Sequence, residues 1–181
     1  LDFHELYEHT EPEEVERLLP LFDNGNDVGL ITEAGLPAVA DPGSQLVKLC
    51  HRHNIEVVPC SGPSSLMLAL MGSGLNGQSF AFLGYIPAKT DERRQALKSI
   101  EKHSASAHQT KIMIETPYRN DSLFADILNV CQGSTELCVA ADITMPDAYI
   151  MTKTVAEWKR YVAGKESIIG KRPCVFLILA H

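Results

Sequence analysis

A short apolar run, Val28-Gly29-Leu30-Ile31-Thr32, feeds a loop punctuated by glycine and proline, Glu33-Ala34-Gly35-Leu36-Pro37-Ala38-Val39-Ala40-Asp41-Pro42-Gly43. An amphipathic segment opens behind it at Ser44. Strand, loop, helix is the unit from which open α/β sheets build ligand sites, with the loop at the strand's carboxyl end and backbone amides near a helix N-terminus. Gly35 and Gly43 permit positive φ, and Pro37 and Pro42 stiffen the turn between them. Such a loop brings main chain close to a small polar molecule. The same grammar repeats at Ile55-Glu56-Val57-Val58-Pro59, the turn Cys60-Ser61-Gly62-Pro63-Ser64-Ser65, and an apolar helix through Met71. Two such units in succession predict a parallel sheet.

A chain of 181 residues, 45% hydrophobic and 22% charged, holds one good-sized domain or two small lobes. Nothing in it approaches the length of a membrane-spanning run, and no signal peptide is visible, so the reading is a cytoplasmic protein with no membrane partner. Leu1-Asp2-Phe3-His4 does not read as a natural start, and we take the chain as a fragment or as a renumbered sequence. A net charge of −7 argues against wholesale binding to nucleic-acid backbone, although local basic clusters can exist on an acidic protein. Cys50, Cys60, Cys131, Cys138 and Cys174 are odd in number and scattered in or beside apolar segments, as reduced thiols are.

Thr10-Glu11-Pro12-Glu13 has the form of a capping box, followed by Val15, Leu18, Leu19 and Phe22 at helical spacing. Helix is predicted for 44–53. Gly72-Ser73-Gly74-Leu75-Asn76-Gly77 reads as a linker, dividing an N-terminal α/β lobe (1–77) from a C-terminal one (78–181). Beyond it, strands are predicted at 80–85, 110–115, 137–143, 148–152 and 174–179, with helices at 91–103, 121–131 and 155–163. Strands this close together predict a mixed sheet.

These residues resemble a known family. Ile31 to Gly43 is similar to the S-D-A-G-x-P-x-x-x-D-P-G signature of the tetrapyrrole-methylase superfamily of S-adenosylmethionine methyltransferases. The resemblance is closest to the group that methylates a cytidine 2′-hydroxyl of 16S ribosomal RNA. Pro59 to Ser65, Gly84-Tyr85-Ile86-Pro87-Ala88-Lys89, Arg93-Arg94-Gln95-Ala96-Leu97 and Glu115-Thr116-Pro117-Tyr118-Arg119 match further motifs in the same order. The resemblance implies a two-lobed fold and a cofactor, S-adenosylmethionine, held by Gly35, Leu36, Pro37, Val39, Asp41, Ser64, Ser65, Leu66, Thr116, Pro117, Ala140 and Pro173. It also implies a homodimer and a substrate in ribosomal RNA or the small ribosomal subunit. The family's opening strand and T-P-I-G-N-L-type turn have no counterpart here, which predicts a first sheet lacking its opening strand and leaves open whether the chain as given is a complete catalyst. Its R-E-[LI]-T-K and R-G-T patches read here as Ala141-Asp142-Ile143-Thr144-Met145 and Thr152-Lys153-Thr154.

Methyl transfer from a sulfonium is an in-line displacement governed by alignment and a dry cleft, so neither a metal nor a covalent nucleophile is required. A hydroxyl acceptor gains from a nearby base or cation. Lys89, Glu115 and Arg119 are the candidates to face it, with Lys89, Arg93, Arg94 and Arg119 the candidates to hold the substrate. The plainer readings stand beside these: Glu115 as a loop anchor paired with Arg119, and Lys89, Arg93 and Arg94 as a solvated helix face. Asp41 could bind ligand or cap the helix behind it. Cys50, His51, His53 and Cys60 lack the paired spacing of a zinc site. Met67 and Met71 read as core filling, and Trp158 as a packing residue. The remaining readings are a methylase of a tetrapyrrole or other small acceptor, and a binding module that holds S-adenosylmethionine without turnover.

Overall fold

The structure, a computed structural model, describes residues 2–181, without the side chain of Asn24. It divides into two compact units, Leu1–Ser64 and Ser65–His181.

In the first unit, helix α1 (Pro12–Glu16) begins with proline in its opening turn and two acids behind it, Glu13 and Glu14, which suit the positive end of the helix dipole. The predicted capping box does not form. The Thr10 hydroxyl instead accepts from the Tyr7 amide at 2.8 Å, and the α1 N-terminus has no side-chain cap. A 3₁₀ helix over Leu19–Gly25 follows. Helix α2 (Ser44–Arg52) buries Leu46, Leu49 and Cys50, an i, i+3, i+4 face, and carries His51 and Arg52 at its negative end. These side chains and Val15 form a small core, joined by Leu30, Ile55 and Val57.

The predicted strands at 28–32 and 55–59 are corrected here: neither carries paired strand structure, so among the described residues the first unit has no parallel sheet. A strand is a pairing before it is a propensity. In the absence of a ladder, Leu30, Ile55 and Val57 pack singly against the helices, while Ile31 and Val58 stand 76% and 70% exposed.

The second unit opens with helix α3 (Ser65–Ser73), ahead of the Gly72–Gly77 segment, because α3 packs on the sheet of this unit. The sheet comprises β1 (Phe80–Tyr85), β2 (Thr110–Ile114), β3 (Glu136–Ala141), β4 (Tyr149–Thr154) and β5 (Cys174–Leu179), in the order β1-β2-β5-β3-β4. Only β1 and β2 run parallel; the other three pairings are antiparallel, as a mixed sheet requires. Helices α4 (Thr90–Ala107), α5 (Asn120–Val130) and α6 (Val155–Val162) complete the unit.

Alternation along the strands assigns the two faces. Cys174, Phe176 and Ile178 of β5, with Leu137, Val139 and Ala141 of β3, join the cluster that contains Leu97, Phe124, Ile127 and Trp158 from the three helices. Val175, Leu177, Cys138 and Ala140 point the other way, into a cluster with Leu66, Ala69 and Leu70 of α3. Every residue of β5 is buried, which is why this strand reads as an unbroken apolar run. Trp158 is a packing residue as expected, its indole N–H donating to the Leu137 carbonyl at 2.7 Å and its ring edge-on to Phe124. The capping box that does form is at α6, where Thr154 and Glu157 bond reciprocally. Met67 and Met71 do not fill the core: they lie on the outer side of α3, 39% and 79% exposed.

All five cysteines are free thiols, and four of them are buried. Burial pushes the Cys131 and Cys174 thiols up to about 12 and raises those of Cys50 and Cys138. Cys60 is exposed. Iodoacetamide at neutral pH is therefore expected to alkylate Cys60 rapidly and the other four only after denaturation, a pattern read by peptide mass spectrometry. Rapid native labelling of Cys131 or Cys174 would contradict the packing described.

Candidate functional site

Register carries residues from all five strands into one row: Tyr85 pairs with Ile114, Ile114 with Val175, Val175 with Ala140, and Ala140 with Ile150. The directions of the strands then place the carboxyl ends of β1, β2 and β3 and the amino ends of β4 and β5 at one end of the sheet. The segments Ile86–Lys89, Glu115–Arg119, Asp142–Asp147 and Arg172–Pro173 all leave or arrive there. Of the residues predicted from sequence, Thr116, Pro117, Ala140 and Pro173 are thus brought to one sheet end from three separate stretches of chain. The Asp142 amide donates to the Pro173 carbonyl at 3.0 Å and ties two of those stretches together. Ala140, fully buried, shares the α3 face with Leu66.

Glu115 is the organising side chain. Its Oε1 accepts from the Thr116 amide at 2.7 Å, the Thr116 hydroxyl at 3.2 Å, and Arg119 Nε and Nη2 at 2.9 and 2.7 Å. The Glu115 side chain is completely buried and that of Arg119 is 29% exposed. This fixes the guanidinium, and the hydrogen bond to Glu115 raises the Arg119 pKa further above its ordinary value. The Arg119 guanidinium lies 5.3 Å from the Tyr118 ring centre. Tyr118 and Tyr85 are 70% and 58% exposed. The loop-anchor role foreseen for Glu115 is present in full, and one atom is left over. Glu115 Oε2 is buried without a hydrogen-bond partner, as is Oδ1 of Asn120, whose amide nitrogen donates to the carbonyls of Gly170 and Arg172. Buried acceptors left in this way call for a donor from outside the chain.

The basic residues divide. Arg93 is buried, donating to Asp126 Oδ2 at 2.7 Å and to the Ala88 carbonyl at 3.0 Å, which takes it out of reach of a substrate phosphate. Arg94 also bonds Asp126, at 2.7 Å, with its side chain 46% exposed. Lys89 is 81% exposed and pairs with Glu92; among the described residues no hydrogen bond or ion pair joins it to Glu115 or Arg119.

In the first unit, the 33–43 loop is tightly wound. Gly35, Ala38, Ala40 and Gly43 have φ of 75°, 64°, 55° and 130°. Two alanines in the left-handed region store strain, which collects where a loop is shaped for a ligand. The Ala38 amide donates to the Pro42 carbonyl and that of Val39 to Leu36, both at 3.2 Å. Gly35, Val39 and Asp41 are exposed, with Leu36 and Pro37 half-buried. Helix α2 has no side-chain cap, so capping is not what Asp41 does. A Cβ on Gly62 would stand 3.3 Å from Leu36 Cδ2, so the second Gly/Pro turn lies against the first. Ser64 and Ser65 follow that turn, Ser65 exposed at the start of α3.

Sequence reasoning passed over Asp126, Asn120, Tyr149 and Arg172. Their one signal was an acid, an amide, a phenol or a cation in an otherwise apolar or turn-forming stretch. Asp142 and Thr144 take φ of 49° and 75° at the same sheet end, a conformation unusual for the β-branched Thr144. No group of three potential metal ligands occurs among the described residues, and no helix is long and apolar enough to cross a membrane.

The chain is 34% identical to ribosomal RNA small subunit methyltransferase I of Vibrio cholerae over 162 residues, 90% of this chain and 55% of that protein. With the protein of that name from Pseudomonas aeruginosa it is 33% identical over 172 residues, 95% of the chain and 59% of the relative. It thus spans little more than half the length of these curated relatives. No protein-family model matches it. Among solved structures, its fold is like that of the methyltransferase CobJ (TM-score 0.60, 14% identity, covering 95% of this chain and 72% of that one). It is likewise similar to CbiF, a cobalt precorrin-4 methyltransferase (TM-score 0.56, 18% identity, the same coverage). The architecture is therefore tetrapyrrole-methylase-like.

Proposed function

We propose that this chain, homologous over most of its length to ribosomal RNA small subunit methyltransferase I, works as an S-adenosylmethionine-dependent methyltransferase on a ribose 2′-hydroxyl of small-subunit ribosomal RNA. The identity to relatives of that name, sustained over as much as 95% of the chain, carries the reading.

The donors and acceptors present fit the cofactor. Within the second unit, Leu66 and Ala140 offer an apolar wall, and the Thr116–Pro117 and Arg172–Pro173 stretches bring backbone groups to the same sheet end. When bound, S-adenosylmethionine supplies a methyl group already activated for displacement. The chain's own task is then to bind, align and exclude water. Arg119, held rigid by Glu115, presents a fixed cation beside Tyr118 to the acceptor strand. Glu115 Oε2 receives the hydroxyl proton. The same reading includes a homodimer working in the cytoplasm, supported by the apolar edge strand β1, where Phe80 and Leu83 are 39% and 37% exposed.

Labelled methyl transfer to small ribosomal subunits lacking their own modification tests it directly. Label in one ribose of the RNA is the expected result. Transfer to a corrin precursor and none to RNA would instead favour the reading that the fold likeness to CobJ and CbiF supports, a methylase of a tetrapyrrole. Binding of the cofactor with transfer to neither would mark a non-catalytic module.

A further inference from the structure

The segment from Tyr149 to Arg172 carries six cations (Lys153, Lys159, Arg160, Lys165, Lys171, Arg172) and two acids (Glu157, Glu166), a net +4 on a chain of net −7. The rest of the protein, at −11 by difference, repels polyanions, so the location of this charge matters.

Its side chains form a run with a cation at one end, two rings in the middle and two ammonium groups at the other end. Tyr149 opens β4 opposite Ala141, at the sheet end that holds the candidate site. The Arg172 guanidinium sits 5.7 Å from the Tyr149 ring centre, tethered by hydrogen bonds to the carbonyls of Ile168 and Ile169 and by Asp142 at 3.7 Å. Tyr161 of α6 lies next along, close enough that, after burial itself, it is the main cause lifting the Tyr149 phenol to about 12. Over the Tyr161 ring stand two ammonium groups, Lys165 at 3.5 Å and Lys153 at 5.1 Å from its centre. Among the described residues no carboxylate pairs with Lys153, Lys165 or Lys171 within 4.0 Å. Glu157 is the acid whose field reaches Lys153, and its Oε2 accepts from both the backbone amide and the hydroxyl of Thr154.

We infer that this cation–aromatic track is the surface on which the phosphodiester backbone of the RNA runs away from the candidate site. Lys153 and Lys165 contact phosphates, and Tyr161 holds the two ammonium groups together. With two ammonium groups over the Tyr161 ring and the Trp158 ring centre 5.6 Å away, the ring is not left open for a base, so the track positions the strand without reading sequence. Arg172 is too fully engaged by the chain to be its mobile part; it sets the Tyr149 end. This rests on the reading that the substrate is RNA.

The experiment is the salt dependence of binding to a small-subunit ribosomal RNA fragment, comparing wild type with the double variant Lys153→Ala/Lys165→Ala. Losing two single-strand phosphate contacts should flatten the log–log salt slope by about 1.4 and weaken binding roughly 10- to 30-fold at 0.1 M salt. The heat of S-adenosylmethionine binding and the melting temperature should stay unchanged, and Lys153→Arg/Lys165→Arg should restore the slope. If the alanine variant keeps the wild-type slope while wild type methylates RNA, the track is overturned and the proposed activity stands. If wild type binds no RNA, or binds anionic phospholipid vesicles in preference to it, the track falls together with the RNA reading. Cofactor heat retained in that case separates loss of the substrate from loss of the cofactor.

Discussion

Replacing Asp126 with alanine is expected to lower the free energy of unfolding by about 3–5 kcal/mol, the usual cost of breaking a buried ion pair from one side. Asp126 and Arg93 have side chains 4% and 5% exposed, and a second guanidinium, Arg94, closes on the other carboxylate oxygen. Removal of the carboxylate leaves the buried Arg93 without its counter-charge. It also releases the start of α4 from α5, which those bonds hold together. Burial alone would raise the Asp126 pKa, but the hydrogen bonds and charges of Arg94 and Arg93 outweigh it and hold the group below its ordinary value. The pH dependence follows. A carboxyl depressed in the folded state contributes fully above its unfolded value of about 3.9, and that contribution fades as pH falls through the folded value. The gap between wild type and variant, measured by urea unfolding, should be widest near neutrality and narrow below about pH 4. A loss under about 1 kcal/mol at neutral pH would mean the pair is solvated in solution.

With Arg119 placed at the acceptor as proposed, Arg119→Ala is expected to lower the rate of methyl transfer roughly 100-fold while changing the affinity for S-adenosylmethionine by less than about threefold, since a preorganised charge there would act on the reacting group. Arg119→Lys should recover little, since Glu115 Oε1 receives both Nε and Nη2 of the guanidinium and an ammonium cannot reproduce that fork. Glu115→Gln should reproduce most of the rate loss through a different route, freeing Arg119 and placing a donor or an uncharged oxygen where Oε2 now lies. Single-turnover rates with saturating cofactor, beside calorimetric binding, separate these effects. Equal losses of rate and cofactor affinity in Arg119→Ala would move Arg119 from the acceptor to the cofactor.

Much of the second unit was legible because its signals are local. Cys174–Leu179 is an uninterrupted apolar run and forms a strand with those very bounds; β1 at Phe80–Tyr85 likewise matches its expected span. The two strands expected in the first unit failed for the opposite reason: apolar alternation marks what a segment could pair with and says nothing of whether a partner is there. The candidate site divides the same way. Glu115, Thr116 and Arg119 are neighbours in sequence, so their association could be read directly. Arg93 and Arg94 look alike in a string of letters, yet one helical step of about 100° sends the first inward to Asp126 and leaves the second half in water. Tyr149, Asp142 and Arg172 meet only through antiparallel register, which no local pattern announces.

Strand β5 comes last along the chain of all those in its sheet, yet it is the centre of that sheet, flanked by β2 and β3. During synthesis, therefore, β1–β2 and β3–β4 emerge as two ribbons with facing apolar edges and nothing between them. They must wait until residue 179 has been made before the sheet can close.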